Sequence, residues 1–139
     1  VIFNLIMQAV LGHTEDAFPE MLNFCYVVSL KIHEAEPQGR YKTKDEEFTA
    51  FCYAGHLPGF CMGYNCHGMV MSINVLFPKK VLTKKTPRHF LTRALLACQN
   101  MYEAQRTLYD TPYGSADGFS VNLSFTSQEG DTLFHNFEV

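Results

Sequence analysis

The chain has 139 residues, 47% of them hydrophobic and 14% aromatic, which is enough apolar material for the core of one domain and excludes a disordered chain. A formal net charge of −3 leaves no broad basic surface for nucleic acid or an anionic membrane, so neither is an expected partner. The one basic stretch, Lys79, Lys80, Lys84, Lys85 and Arg88, reads as a solvated loop and helix entrance.

Residues 1–11 are apolar but lack a basic n-region and are too short to cross a bilayer, so they read as a strand. Residues 24–32, 48–53 and 69–77, rich in β-branched and aromatic side chains, predict three more. Between the first two of these, residues 34–47 carry Pro37, Gly39 and most of the local charge and form a long hairpin loop. Asn65-Cys66-His67-Gly68 supplies a tight reversal, since Asn and Gly tolerate positive φ.

Two helices follow. Thr86 is the expected N-cap with Pro87 at the first helical position, and Phe90, Leu91, Ala94, Leu95 and Cys98 form a stripe that should lie on a sheet. Asn100 with Glu103 predicts a capping box for the second helix, whose stripe is Met101, Ala104 and Leu108. Residues 109–118, with Pro112 and Gly114, end the helical section, and strands at 119–125 and 132–139 flank a turn at 128–131. Strands, then helices, then strands predict an α+β domain spanning 1–139, not a parallel doubly wound sheet.

Five cysteines, mostly within apolar runs, suit free thiols in a reducing, cytoplasmic compartment. The absence of an initiator Met and the strand-like pattern up to Val139 suggest a fragment, a processed subunit or a truncated product.

Several residues are candidates for chemistry. Asp16 is expected to close a strand, either as an Asx-turn residue or in a site; Glu15 would then point to the opposite face, outside it. Asn74 interrupts an apolar run and must be either hydrogen-bonded in the core or presented to a pocket. Cys61, Cys66 and His67 are the densest group of metal-ligand types, but no paired Cys-x-x-Cys accompanies them and a metal is not expected. Cys66 beside His67 is a poor nucleophile pair, because adjacent strand residues face apart.

Four ordered blocks carry a family resemblance: Gly12-His13-Thr14-Glu15-Asp16-Ala17, Cys52-Tyr53-Ala54-Gly55-His56-Leu57-Pro58-Gly59, Asn65-Cys66-His67-Gly68-Met69-Val70-Met71-Ser72-Ile73-Asn74 and Thr86-Pro87-Arg88-His89-Phe90-Leu91-Thr92-Arg93-Ala94-Leu95-Leu96. The chain resembles, over about residues 12–139, the cysteine N-terminal-nucleophile (Ntn) hydrolases of the acyl-CoA:isopenicillin-N acyltransferase type. The likeness is greatest to a branch that cleaves N-β-alanyl biogenic amines such as β-alanyl-dopamine and carcinine. It implies part of an αββα sandwich, with the last strands opening a second sheet.

It also implies an amide-bond hydrolase or acyltransferase that attacks with a cysteine freed by internal cleavage, using no metal or redox cofactor. Asp16 would contact the new α-amino group and thiol, and the backbone N–H at Asn74 would donate to the oxyanion. A second donor would come from a later strand, Asn122 lying one element too early. His56 would border the substrate pocket. Arg93, near the apolar stripe of the first helix, is placed to pair with a carboxylate such as Glu138.

Where the family has a Gly-Cys-Thr junction, residues 1–8 differ, and no residue of this chain matches the nucleophile. By itself the chain is therefore expected to be inactive. Its implied partners are a small N-acyl amine and the other processed chain of the same precursor; the alternative is an inactive remnant or splice form with a binding or regulatory role. The choice between hydrolysis and acyl transfer stays open.

Overall fold

Alternating apolar side chains build six strands among the residues described by the computed structural model, which are 10–109, 112–127 and 134–139. They are β1 (Cys25–His33), β2 (Asp45–Tyr53), β3 (Met62–Asn65), β4 (Met69–Val75), β5 (Phe119–Phe125) and β6 (His135–Glu138), joined antiparallel in chain order in a single sheet. Helices α1 (Arg88–Leu95) and α2 (Met101–Tyr109) lie between β4 and β5 in sequence, and a 3-10 helix at Pro19–Phe24 leads into β1. The class is α+β, as expected. The last two strands do not open a second sheet, because β5 pairs directly with β4 from Met69↔Phe125 to Val75↔Phe119.

One face of this sheet is the core. Phe48 and Ala50 on β2, Met69, Met71 and Ile73 on β4, and Phe119, Val121, Leu123 and Phe125 on β5 recur at every second position and are buried. Leu91 and Leu95 of α1, Leu96 and Cys98 beyond it, and Ala104 and Leu108 of α2 join the same cluster. The opposite face carries polar ladders instead: Asn136 Nδ2 donates to Ser120 Oγ at 2.8 Å and to Asn122 Oδ1 at 3.0 Å, and Asn122 Nδ2 to Ser72 Oγ at 3.4 Å. Asn122 is thus a polar strand residue.

The predicted reversal after Asn65 is present, with Gly68 at φ +82°. Asn65 itself is buried and does more than turn the chain. Its Oδ1 accepts the backbone N–H groups of His67 and Met69 at 3.0 and 3.1 Å, while Nδ2 donates to the carbonyls of Leu96 and Cys98 at 3.0 and 2.7 Å. One amide therefore closes the β3–β4 hairpin and occupies carbonyls freed at the end of α1.

At α2 the N–H of Glu103 bonds to Asn100 Oδ1 at 3.0 Å, as the capping box predicts, but the Glu103 carboxylate accepts the N–H of Gln99 at 2.9 Å, one residue before the N-cap. The start of α1 differs from expectation. Pro87 is extended (ψ 140°) and is itself the N-cap, while Thr86 forms an isolated parallel bridge with Ser115. The first helical N–H, of Arg88, is satisfied by Asp117 Oδ1 at 3.1 Å from the distant loop.

The buried stripe is also turned: Leu91, Thr92 and Leu95 face the sheet, whereas Phe90 is 60% exposed. Thr92 can lie inside because its hydroxyl donates to the His89 carbonyl. Arg93 pairs with Glu46 at 2.8 Å and lies 4.6 Å from the Phe48 ring centroid; the expected pairing with Glu138 is not the one observed.

Strand β3 was not predicted, and the segment 10–18 contains no strand, so Asp16 does not close one. Of the strand expected at 1–11, residues 1–9 fall outside the described residues, as do the turn at 128–131 and the start of the last strand at 132–133, while 10–11 are not in a strand.

Gly59 is where α1 meets the loop before β3. At φ +108°, a Cβ there would stand 2.8 Å from the Thr92 carbonyl oxygen, which is backbone and cannot swing away. Gly59→Ala should lower the stability by about 3 kcal/mol, read as a shift of the urea midpoint at constant slope. A shift below a third of that would show that the helix moves freely.

Candidate active site

The irregular segment 10–18 brings His13, Glu15 and Asp16 to the end of β2 and the loop that follows. Glu15 is the hub: Tyr53 Oη donates to its Oε1 at 2.5 Å, and its Oε2 lies 2.8 Å from His13 Nε2. The buried Cys61 thiol lies close by, its sulfur within 4.8 Å of the Glu15 carboxylate. Partial burial acts to raise the Glu15 pKa, but the neighbouring Cys61, His13 and Tyr53 together outweigh it and hold the carboxyl below its ordinary value. Burial first, and the Glu15 carboxylate second, push the Tyr53 hydroxyl and the Cys61 thiol up, so both stay protonated at neutral pH.

Glu15 therefore does not face away from Asp16. Strand alternation was the premise for separating them, and no strand is there. The donor atoms of His13, Glu15 and Cys61 lie within 4.8 Å of one another, whereas the ligand types grouped by sequence were Cys61, Cys66 and His67, of which Cys66 is exposed. Within this group His13 is hydrogen-bonded to Glu15.

Two cavities open beside the hub. The larger, about 600 Å³, is lined by Glu15, Asp16, Ala17, Phe18, Met21, Tyr53, His56 and Phe60. A smaller one, about 300 Å³, is lined by Thr14, Glu15, Asp16, Phe60, Ile73, Asn74, Val75 and Phe77. Asp16 thus shares one cavity with His56 and the other with Asn74, while Glu15 and Phe60 border both. Of the two readings of Asn74, the second is observed: it is exposed near the end of β4 and fronts a cavity.

Behind His56 lies a ring cluster that the sequence did not suggest. Its imidazole centroid is 5.9 Å from Tyr53 and 4.9 Å from His89, and the His89 ring is 5.0 Å from Phe60. Burial first, then the neighbouring His56 and Arg88, hold His89 below its ordinary value, and its Nε2 is buried without a hydrogen-bond partner among the described residues.

With the folded value depressed, the contribution of neutral His89 is complete above its ordinary value of 6.5 and is lost as pH falls through the lowered value. The melting temperature should accordingly fall between about pH 7.5 and 5.5, and fall less in His89→Phe. Parallel curves for the two proteins would assign the pH dependence to other groups.

Residues 7–139 match the acyl-coenzyme A:6-aminopenicillanic acid acyl-transferase family. The chain belongs to that family, in agreement with the resemblance of its ordered blocks and with the α+β sheet. It is 49% identical over 125 residues to the beta-alanyl-dopamine/carcinine hydrolase of Drosophila melanogaster. That alignment covers 90% of this chain and 32% of the fly protein, so the chain spans about a third of its relative's length.

Proposed function

We propose that this chain is part of an amide hydrolase that cleaves N-β-alanyl amines such as β-alanyl-dopamine and carcinine. The identity to a hydrolase of that name carries the reading, and the shared cavity of Asp16 and Asn74 supports it. In this mechanism a cysteine, freed at a new N-terminus by internal cleavage, comes from sequence outside this chain. Asp16 orients its α-amino group, which takes the thiol proton. The thiolate attacks the amide carbonyl, and the backbone N–H at Asn74 donates to the oxygen as it becomes negative. The amine leaves carrying a proton, and water releases β-alanine from the thioester.

His56 borders the leaving amine from the larger cavity. The free cysteines support a reducing, cytoplasmic location, and no helix among the described residues is long and apolar enough to cross a membrane.

The test is incubation of the full-length protein with carcinine and β-alanyl-dopamine, following release of the amine and, by intact mass spectrometry, a β-alanyl adduct on the nucleophile-bearing chain. Amine release with a trapped adduct is the expected result. Neither signal, from a protein that is folded and has undergone internal cleavage, would refute the reading and leave the binding or regulatory role.

A further inference from the structure

We infer that Glu15 is the residue that selects the acyl group, by anchoring the terminal ammonium of an ω-amino acyl amide at the mouth of the larger cavity. The inference rests on the function proposed above and adds to it the residue responsible for acyl-chain choice. Three observations converge on it.

The first is that Glu15 is held in place before any ligand arrives. Tyr53 and His13 each engage a different oxygen, and a carboxylate with about four acceptor sites has capacity left. Tyr53 is a neutral donor, so it fixes the carboxylate without cancelling its charge. Its side chain remains 30% exposed, which leaves an edge open to a ligand.

The second is the character of the cavity. Apart from the two carboxylates, its walls are Ala17, Phe18, Met21, Tyr53, His56 and Phe60, mostly apolar and aromatic. Such walls suit a flat ring, with a charged group confined to the Glu15 and Asp16 edge.

The third is chain length. In a β-alanyl amide only two methylenes separate the ammonium from the carbonyl that is attacked. Its anchor must therefore stand next to the group that handles the nucleophile. Glu15 directly precedes Asp16, and both border both cavities. With Asp16 engaged by the nucleophile's amine, Glu15 is the carboxylate left for the substrate.

The test uses the full-length protein and a matched pair, carcinine and N-propionylhistamine, which differ only in the terminal amino group. The wild type should favour carcinine by about tenfold or more in kcat/KM, the size expected of a partly exposed charge-assisted hydrogen bond. Glu15→Gln should bring that ratio close to one, chiefly through KM for carcinine. Glu15→Asp, which keeps the charge and retracts it by one methylene, should shift preference toward the γ-aminobutyryl amide of histamine.

An equal loss on both substrates in Glu15→Gln, or a preference that survives it, would overturn the assignment and leave Glu15 a structural hub. If Glu15→Gln does not fold, the chain-length preference of Glu15→Asp decides, and an unchanged preference overturns the assignment. Failure of the wild type to cleave either amide is failure of the parent reading. Calorimetric binding of β-alaninamide against propionamide, in wild type and variants, then decides the anchor: charge-selective binding that depends on Glu15 supports it, and its absence overturns it.

Discussion

Asp16→Asn in the full-length protein is expected to lower turnover of carcinine by about 100-fold to 1000-fold, and to slow internal cleavage as well. The substitution keeps size and shape and removes only the charge. In the proposed mechanism that charge stabilises the α-ammonium formed when the nucleophile's amine takes the thiol proton, so the loss should appear in kcat more than in KM. Asp16 borders both cavities, which allows it to act on the nucleophile from one side while substrate occupies the other. Progress curves and gel analysis of cleavage measure the two steps separately. Unchanged rates for both would remove Asp16 from the mechanism.

Asn65→Ala should cost about 3–5 kcal/mol, because it breaks four hydrogen bonds at one buried position. The deletion strands two N–H groups in the hairpin and two carbonyls at the end of α1. Water does not replace them readily, since Asn65 is only 6% exposed. Asn65→Asp discriminates between the two halves of the network: it keeps the acceptor for His67 and Met69 but loses both donors, and should fall between alanine and wild type. Chemical denaturation gives both values. A loss under about 1 kcal/mol for alanine would mean that the hairpin holds without its side-chain clamp.

Much of the fold was legible because its signals are local. The core positions of β2, β4 and β5 follow from period-two alternation, and Asn100 with Glu103 gave the α2 cap from side-chain chemistry alone. β3 escaped because Met62, Gly63, Tyr64 and Asn65 form too short a run and contain a glycine, a residue weak in strands; its pairing with β2 and β4 supplies what propensity does not. The cap of α1 was misread for a related reason: Asp117, which satisfies the first N–H, is distant in sequence and leaves no local trace.

At the candidate site, the family motifs drew attention to Asp16, Asn74 and His56, and the fold brings each to a cavity wall. Glu15 was lost through a rule applied outside its domain, since facing alternates only along a strand. The distant partner of Glu15, Tyr53, and the neighbouring Cys61 come from different parts of the chain, and no spacing announces their meeting.

Because each strand lies beside its neighbour in sequence, the ladders from β1 to β4 grow from nearby hairpins, and joining β5 to β4 is the one step that must close the long excursion through both helices. Loop-closure entropy is therefore concentrated at that single seam. The Asn65 clamp ties the hairpin to the end of α1 and so spans part of that excursion in the finished structure.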